Sequence, residues 1–212
     1  MTTDILSPAR RDWTVLFPSV AAPACFLGGW LLMRPIGGQA EPGAWWTAAH
    51  AVWLLGFALF AVVGLRFRSY VPARTTGQRI AVTVTSVIVV ASAVANIVQL
   101  TLDLVGGFLA ANREELQHMF AGFQHVPGVQ PAIYGAGAQV IFLGLVGFSI
   151  LAAIIRRSGA WTPTLVAAGT VVMAVGLAFG RNHWLVPVGM TLLLVGLAVM
   201  GRQLAKNQPI AA

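Results

Sequence analysis

Six apolar runs, each about long enough to carry an α-helix across a bilayer, constrain this chain more than anything else in it. A spanning helix needs roughly 20 apolar residues, at about 1.5 Å rise each through a hydrocarbon core of about 30 Å. The runs cover residues 13–33, 45–65, 80–106, 133–155, 163–180 and 183–204. Backbone groups inside a bilayer must find their hydrogen bonds within the protein, so runs of this length are expected as helices. Too few of the 212 residues lie outside the runs to build a separate soluble domain. The sequence therefore predicts a single polytopic membrane domain over 1–212, an all-α six-transmembrane-helix bundle.

Charge excludes other classes. Only 9% of residues are charged and 58% are hydrophobic, whereas a soluble domain is about 25% charged. The formal charge of +7 does not point to nucleic acid, because the basic residues sit in short clusters between the apolar runs and not along one face. Cys25 is the only cysteine, so an internal disulfide, a thiolate metal cluster and CxxC chemistry are excluded. Arg10 and Arg11 precede the first run in the manner of a signal peptide. The run is longer than a signal h-region, however, and no small-x-small cleavage site follows. Ala22-Pro23-Ala24-Cys25 also lacks the leucine expected before a lipidated cysteine, so this run is read as the first spanning helix.

The basic residues set the orientation. With the N-terminus inside, inner segments carry Arg10, Arg11, Arg66, Arg68, Arg74, Arg79, Arg156, Arg157, Arg202 and Lys206, and outer segments carry only Arg34, Arg113 and Arg181. Both termini are accordingly expected on the cytoplasmic face of a bacterial plasma membrane. Local signals mark some ends: Thr162 as N-cap with Pro163 behind it, Gly180 closing the fifth helix, and Asn182 capping the sixth. The last two helices should form a tight antiparallel hairpin. Pro18 and Pro23 are expected to kink the first helix.

Threaded this way, the chain is polarised. His50, His118, His125 and His183 all fall in the outer half, with Glu41, Asp103, Glu114 and Glu115, while Asp4 and Asp12 stay inside. The positive-inside rule does not predict where histidines go. In the third run, Ser92, Asn96, Gln99 and Asp103 recur at helical spacing on one face. Polar side chains at membrane depth face the bundle interior or a watery cavity, and an ionisable one is a functional candidate. Trp46, His50, Trp53, Phe57 and Phe60 form a facing stripe in the second run, and Asp103 is the expected partner of His50. The fourth run adds Gln139, and its Gly135, Gly137, Gly144 and Gly147 are expected to let helices approach closely. Between the third and fourth runs, residues 112–124 read as an amphipathic outer helix with Leu116, Met119, Phe120 and Phe123 on its apolar face.

Three function classes remain. The first is a membrane-embedded acid–base enzyme, cyclase- or isomerase-like, acting on a lipophilic and isoprenoid-type substrate in an outward-opening cavity. Its catalytic candidates are Asp103, His50, Asn96 and Gln99, with Trp46, Trp53, Phe57 and Gln139 against the substrate. No DxxxD-type motif is present to gather magnesium around a diphosphate, which argues against diphosphate-dependent prenyl transfer. The second class is a transporter or a non-catalytic subunit of a partner membrane protein, or a homo-oligomer. No internal repeat or discontinuous helix points to a carrier. The third is a haem b or divalent-metal protein built from His50, Glu115, His118, His125 and His183, with His50 and His183 as a haem pair and Glu115–His118 at the Glu-x-x-His spacing. The enzyme reading requires no cofactor. Membrane lipids are the one partner common to all three.

Overall fold

The computed structural model describes residues 13–36, 41–156, 160–180 and 183–206. Within them the chain is helical: α1 (Trp13–Leu31) running into a π-helical turn (Leu32–Ile36), α2 (Ala44–Tyr70), α3 (Thr76–Leu109), α4 (Arg113–Gln124), a second π-helical turn (Gln130–Tyr134), α5 (Ala136–Gln139), α6 (Ile141–Arg156), α7 (Trp161–Phe179) and α8 (Leu185–Lys206). Six stretches are long and apolar enough to cross a membrane: Trp13–Arg34, Ala44–Tyr70, Thr76–Leu109, Gln130–Ile155, Trp161–Phe179 and Leu185–Lys206. The chain is thus built as an integral membrane protein.

Two helices outrun their apolar sequence for identifiable reasons. α2 continues through Arg66 and Arg68 because Phe67 and Tyr70 still face the core, with Phe67 stacked on Phe148 at 3.8 Å between ring centres. α3 begins before its apolar run because a capping box fixes its first turn. Gln78 N donates to Thr75 Oγ1 at 3.2 Å, and Thr75 N donates back to Gln78 Oε1 at 3.4 Å.

The six spans close into a ring. α1 packs on α2, α2 on α3, α3 on α6, α6 on α7, α7 on α8, and α8 returns to α1. Five of these seams hold a glycine with no room for a side chain. A Cβ on Gly189 of α8 would stand 2.4 Å from the Met173 backbone nitrogen of α7. A Cβ on Gly201 of α8 would meet Ser19 of α1 at 2.6 Å, and one on Gly56 of α2 would meet Cys25 of α1 at 3.0 Å. Gly64 of α2 and Gly144 of α6 press on α3 at Val90 and Val89, at 2.8 and 2.5 Å. Bare backbone replaces hydrophobic driving force here, because lipid tails are as apolar as leucine. No glycine among the described residues closes the α6–α7 seam in this way.

Several expectations need correction. The fourth span is not a uniform α-helix: it opens with a π-helical turn, leaves helical geometry at Gly135, and continues through the short α5 into α6. Gly144 and Gly147 do serve close approach, to α3, but Gly135 and Gly137 pack against their own chain at Gln130 and Ala132. They belong to the break and not to a helix–helix seam. Thr162 is not an N-cap. The helix starts at Trp161 behind Ala160, which gives no side-chain cap, and Thr162 is buried with its hydroxyl 3.4 Å from Gln203 Oε1. Gly180 closes α7 as expected, with φ +134°. Pro18 and Pro23 lie inside an α1 that continues to Leu31. Asp4, Arg10, Arg11, Asp12, Arg157, Arg181 and Asn182 lie outside the described residues.

Candidate functional site

The ring encloses a cavity of about 430 Å³, to which all six spans contribute. It lies toward the end of the bundle that carries α4, and its rim includes Arg34, Arg113, Gln117 and Gln124. α4 forms its roof. Asn112 Oδ1 caps the helix by accepting from Glu115 N at 3.0 Å, and the apolar face then lands on the bundle. Leu116 is 2% exposed, and Phe120 packs over Gly106 and beside Trp46.

The two stripes read from the sequence meet across this cavity. His50 and Asp103 are both buried, and His50 Nε2 lies 3.8 Å from Asp103 Oδ2. The other ring nitrogen of His50, Nδ1, lies 2.8 Å from the carbonyl oxygen of Trp46, one helical turn earlier. With the proton on Nδ1 donated to that carbonyl, the Nε2 lone pair faces the carboxyl group. The ring is held between two indoles, stacked on Trp46 at 4.1 Å and edge-on to Trp53 at 5.3 Å. Each indole is itself tied down: Trp46 Nε1 donates to the Asp103 carbonyl at 3.2 Å, and Trp53 Nε1 to the Phe26 carbonyl at 2.9 Å. Rotation of the imidazole is therefore blocked on both faces and at one nitrogen.

Asp103 has a second side-chain contact that the sequence did not suggest. Tyr134, on the π-helical turn before α5, donates its hydroxyl to Asp103 Oδ1 at 3.2 Å. The interrupted geometry of the fourth span brings this tyrosine to the cavity. The only sequence signal for it was a tyrosine next to a Pro- and Gly-rich segment at the start of an apolar run.

Asn96, Gln99 and Asp103 line the cavity, and Ser92 lies buried beyond its floor. Asn96 is already committed. Its Nδ2 donates to the Ser92 carbonyl at 2.8 Å and to the Ala138 carbonyl at 2.9 Å. The second bond holds α5 at the break, so Asn96 braces the wall. Trp46, Trp53 and Phe57 form the aromatic wall, while Phe60 lies deeper in the core. Gln139 reaches the cavity from α5. Phe26, Trp30 and Met33 of α1, with Met173 and Met190 of α7 and α8, complete the lining; their sequence spacing carries no polar signal that would have marked them.

No protein-family model matches this chain, and neither the curated proteins nor the solved structures contain a match. The site is therefore read from its own geometry.

The remaining histidines do not converge on it. His118 and His125 lie exposed on α4 and at its C-terminal end, and His183 stacks on Trp184 and Phe179 while its Nδ1 accepts from Leu185 N at 3.3 Å. Among the described residues no three His, Cys, Asp or Glu side chains come together as metal ligands. Glu115 is engaged with its own helix start, accepting from Ala111 N at 2.8 Å. A haem pair of His50 and His183 does not fit this donor set. His183 is absent from the cavity lining, and both nitrogens of His50 already face protein oxygens.

Proposed function

We propose that the cavity is the active site of a membrane-embedded acid–base enzyme, cyclase- or isomerase-like, acting on an unsaturated lipophilic substrate of isoprenoid type. The observation that carries this reading is a buried carboxyl group and a buried imidazole, 3.8 Å apart, at the edge of an aromatic-walled cavity. Such a volume is typical of small-molecule sites, which run about 300–1,000 Å³. The pair holds one proton between them. Asp103, in its protonated form, donates that proton to one carbon of a C=C bond, the π electrons forming the new C–H bond. The adjacent carbon becomes cationic and faces Trp46, Trp53 and Phe57, whose ring quadrupoles favour positive charge. His50 Nε2 then removes a proton from a neighbouring carbon and the C=C bond re-forms in a new position. Return of the proton from His50 to Asp103 resets the site, with no oxidant or cofactor consumed. Tyr134 positions the carboxyl group, and Gln99 and Gln139 give the cavity its polar contacts.

Orientation belongs to the same proposal. The bias of basic residues puts both termini in the cytoplasm of a bacterial cell and the cavity rim on the outer side.

The test works on a mixture of lipids, so the substrate need not be identified beforehand. Protein in lipid nanodiscs is incubated with a bacterial lipid extract in deuterated water, and neutral and polar lipids are followed by mass spectrometry. A lipid that gains deuterium with the natural protein and not with Asp103→Asn is the expected result. Equal incorporation by both, or none by either, overturns the reading. A proton-coupled carrier is the second reading, supported by the broken fourth span beside the cavity, because carriers often build sites at helix breaks. It predicts Asp103-dependent flux into vesicles without deuterium incorporation.

A further inference from the structure

A second hollow, of about 300 Å³, lies on the lipid-facing side of the seam between the broken fourth span and α7. Its walls are apolar or small: Ala136, Val140 and Leu143 on one side, Thr170 and Ala174 on the other. Four residues, Gln139, Phe142, Met173 and Leu177, border both this groove and the central cavity. These four residues form a wall common to the two spaces. The seam is also the loosest in the ring. It is the one seam at which no glycine among the described residues lies too close to the neighbouring helix to carry a side chain. Leu143 and Leu177 are 68% and 42% exposed there, on a surface that meets hydrocarbon in a bilayer.

The opposite end of the cavity has different chemistry. Arg34 and Arg113 stand at the rim, together with Gln117 and Gln124. These are two of only three basic residues on that side of the chain. A rim of guanidinium groups suits a carboxylate or phosphate head, which arginine binds through paired donors.

From this shared wall and this charge we infer that the ligand is an anionic single-chain amphiphile drawn from the membrane. Its head lies under Arg34 and Arg113, and its hydrocarbon chain passes between Phe142 and Met173 into the α6–α7 groove. The inference rests on the enzyme reading of the cavity and names the substrate class for it.

The probe is the long-chain fluorescent fatty acid cis-parinaric acid, titrated into the full-length protein in nanodiscs, with octanoate and parinaric methyl ester as competitors. Ala174→Trp fills the groove from α7, and Ala136→Trp fills it from α5. Both positions are exposed to the lipid side, so the variants leave the core intact. Each should weaken parinaric acid at least about tenfold, the loss of roughly two methylenes from an apolar seat, while octanoate competes as before. Arg113→Gln should weaken the acid and leave the methyl ester unchanged. Unaltered parinaric binding in both tryptophan variants, equal affinity for acid and ester, or no saturable binding at all would each overturn the inference. The assay reads binding alone, so its failure leaves the deuterium test of Asp103 standing, and a failed deuterium test leaves the chain seat standing.

Discussion

Asp103 is held on several sides, and each contact makes a separate prediction. Asn in its place keeps the shape and removes the proton, so turnover should fall by about 10²–10⁴ while the melting temperature stays put. Thermal melts and deuterium incorporation on one preparation separate the two effects. Tyr134→Phe deletes the hydroxyl that donates to Asp103 Oδ1. A bond to a neutral carboxyl group contributes about 0.5–1.5 kcal/mol, so turnover should fall about two- to tenfold, with lipid binding intact. Wild-type turnover in this variant would assign the tyrosine to packing alone. Asn96 is different in kind. Its amide serves the Ser92 and Ala138 carbonyls, and Asn96→Ala should cost about 1–2 kcal/mol in unfolding by denaturing detergent, through loss of the α5 anchor.

At the level of elements, five of the six seams in the ring bring helices together at a glycine. A Cβ at Gly189 would lie 2.6 Å from the Gly169 carbonyl oxygen as well as 2.4 Å from the Met173 nitrogen, so α7 and α8 touch backbone to backbone. Gly189→Leu must part them, and a loss of about 1–3 kcal/mol is expected. Gly122, in α4, makes the control because a Cβ there meets nothing within 4 Å. Gly122→Ala should stabilise α4 by about 0.5–1 kcal/mol through backbone entropy alone. Opposite signs for the two replacements, measured by chemical denaturation, distinguish packing glycines from merely tolerated ones. Similar losses at both sites would contradict the close approach. The fourth span shows why an element can be apolar over its whole length and still be broken: its glycines serve the chain's own fold at Gly135 and Gly137, and the seam with α3 at Gly144 and Gly147.

For the whole molecule the consequence is a ring with two hollows, a central cavity with a polar rim under α4 and an apolar groove beside it at the α6–α7 seam. The proposed orientation has a direct check. In a cysteine-free background made by Cys25→Ser, a cysteine replacing Gly122 should react with a membrane-impermeant maleimide on intact cells. One replacing Gly77, exposed before the apolar part of α3, should react only after lysis. The reverse pattern would invert the bundle and turn the cavity rim to the cytoplasm.

Span number, approximate span limits, the hairpin of the last two helices and the amphipathic α4 were all legible in the sequence. Each depends on apolar length, helical periodicity or a terminal glycine, which are properties of one segment at a time. The pairing of His50 with Asp103 was legible too, because two stripes at similar depth have few other partners in a small bundle. The chain alone did not show Tyr134, the rim arginines or the break at Gly135. It also assigned Asn96 and Gly135 to tasks that their neighbours redefine. Those features depend on which helix faces which, and in a bilayer that choice is made by backbone fit at glycine seams and by the few buried hydrogen bonds, because apolar surface alone gains nothing by meeting another helix instead of lipid. Sequence determined that the chain has six stretches able to span a membrane and that its histidines and most of its carboxylates gather toward one end. Tertiary structure decided that two of these groups, His50 and Asp103, line a cavity, and that the cavity shares four lining residues with an apolar groove on the outside of the ring.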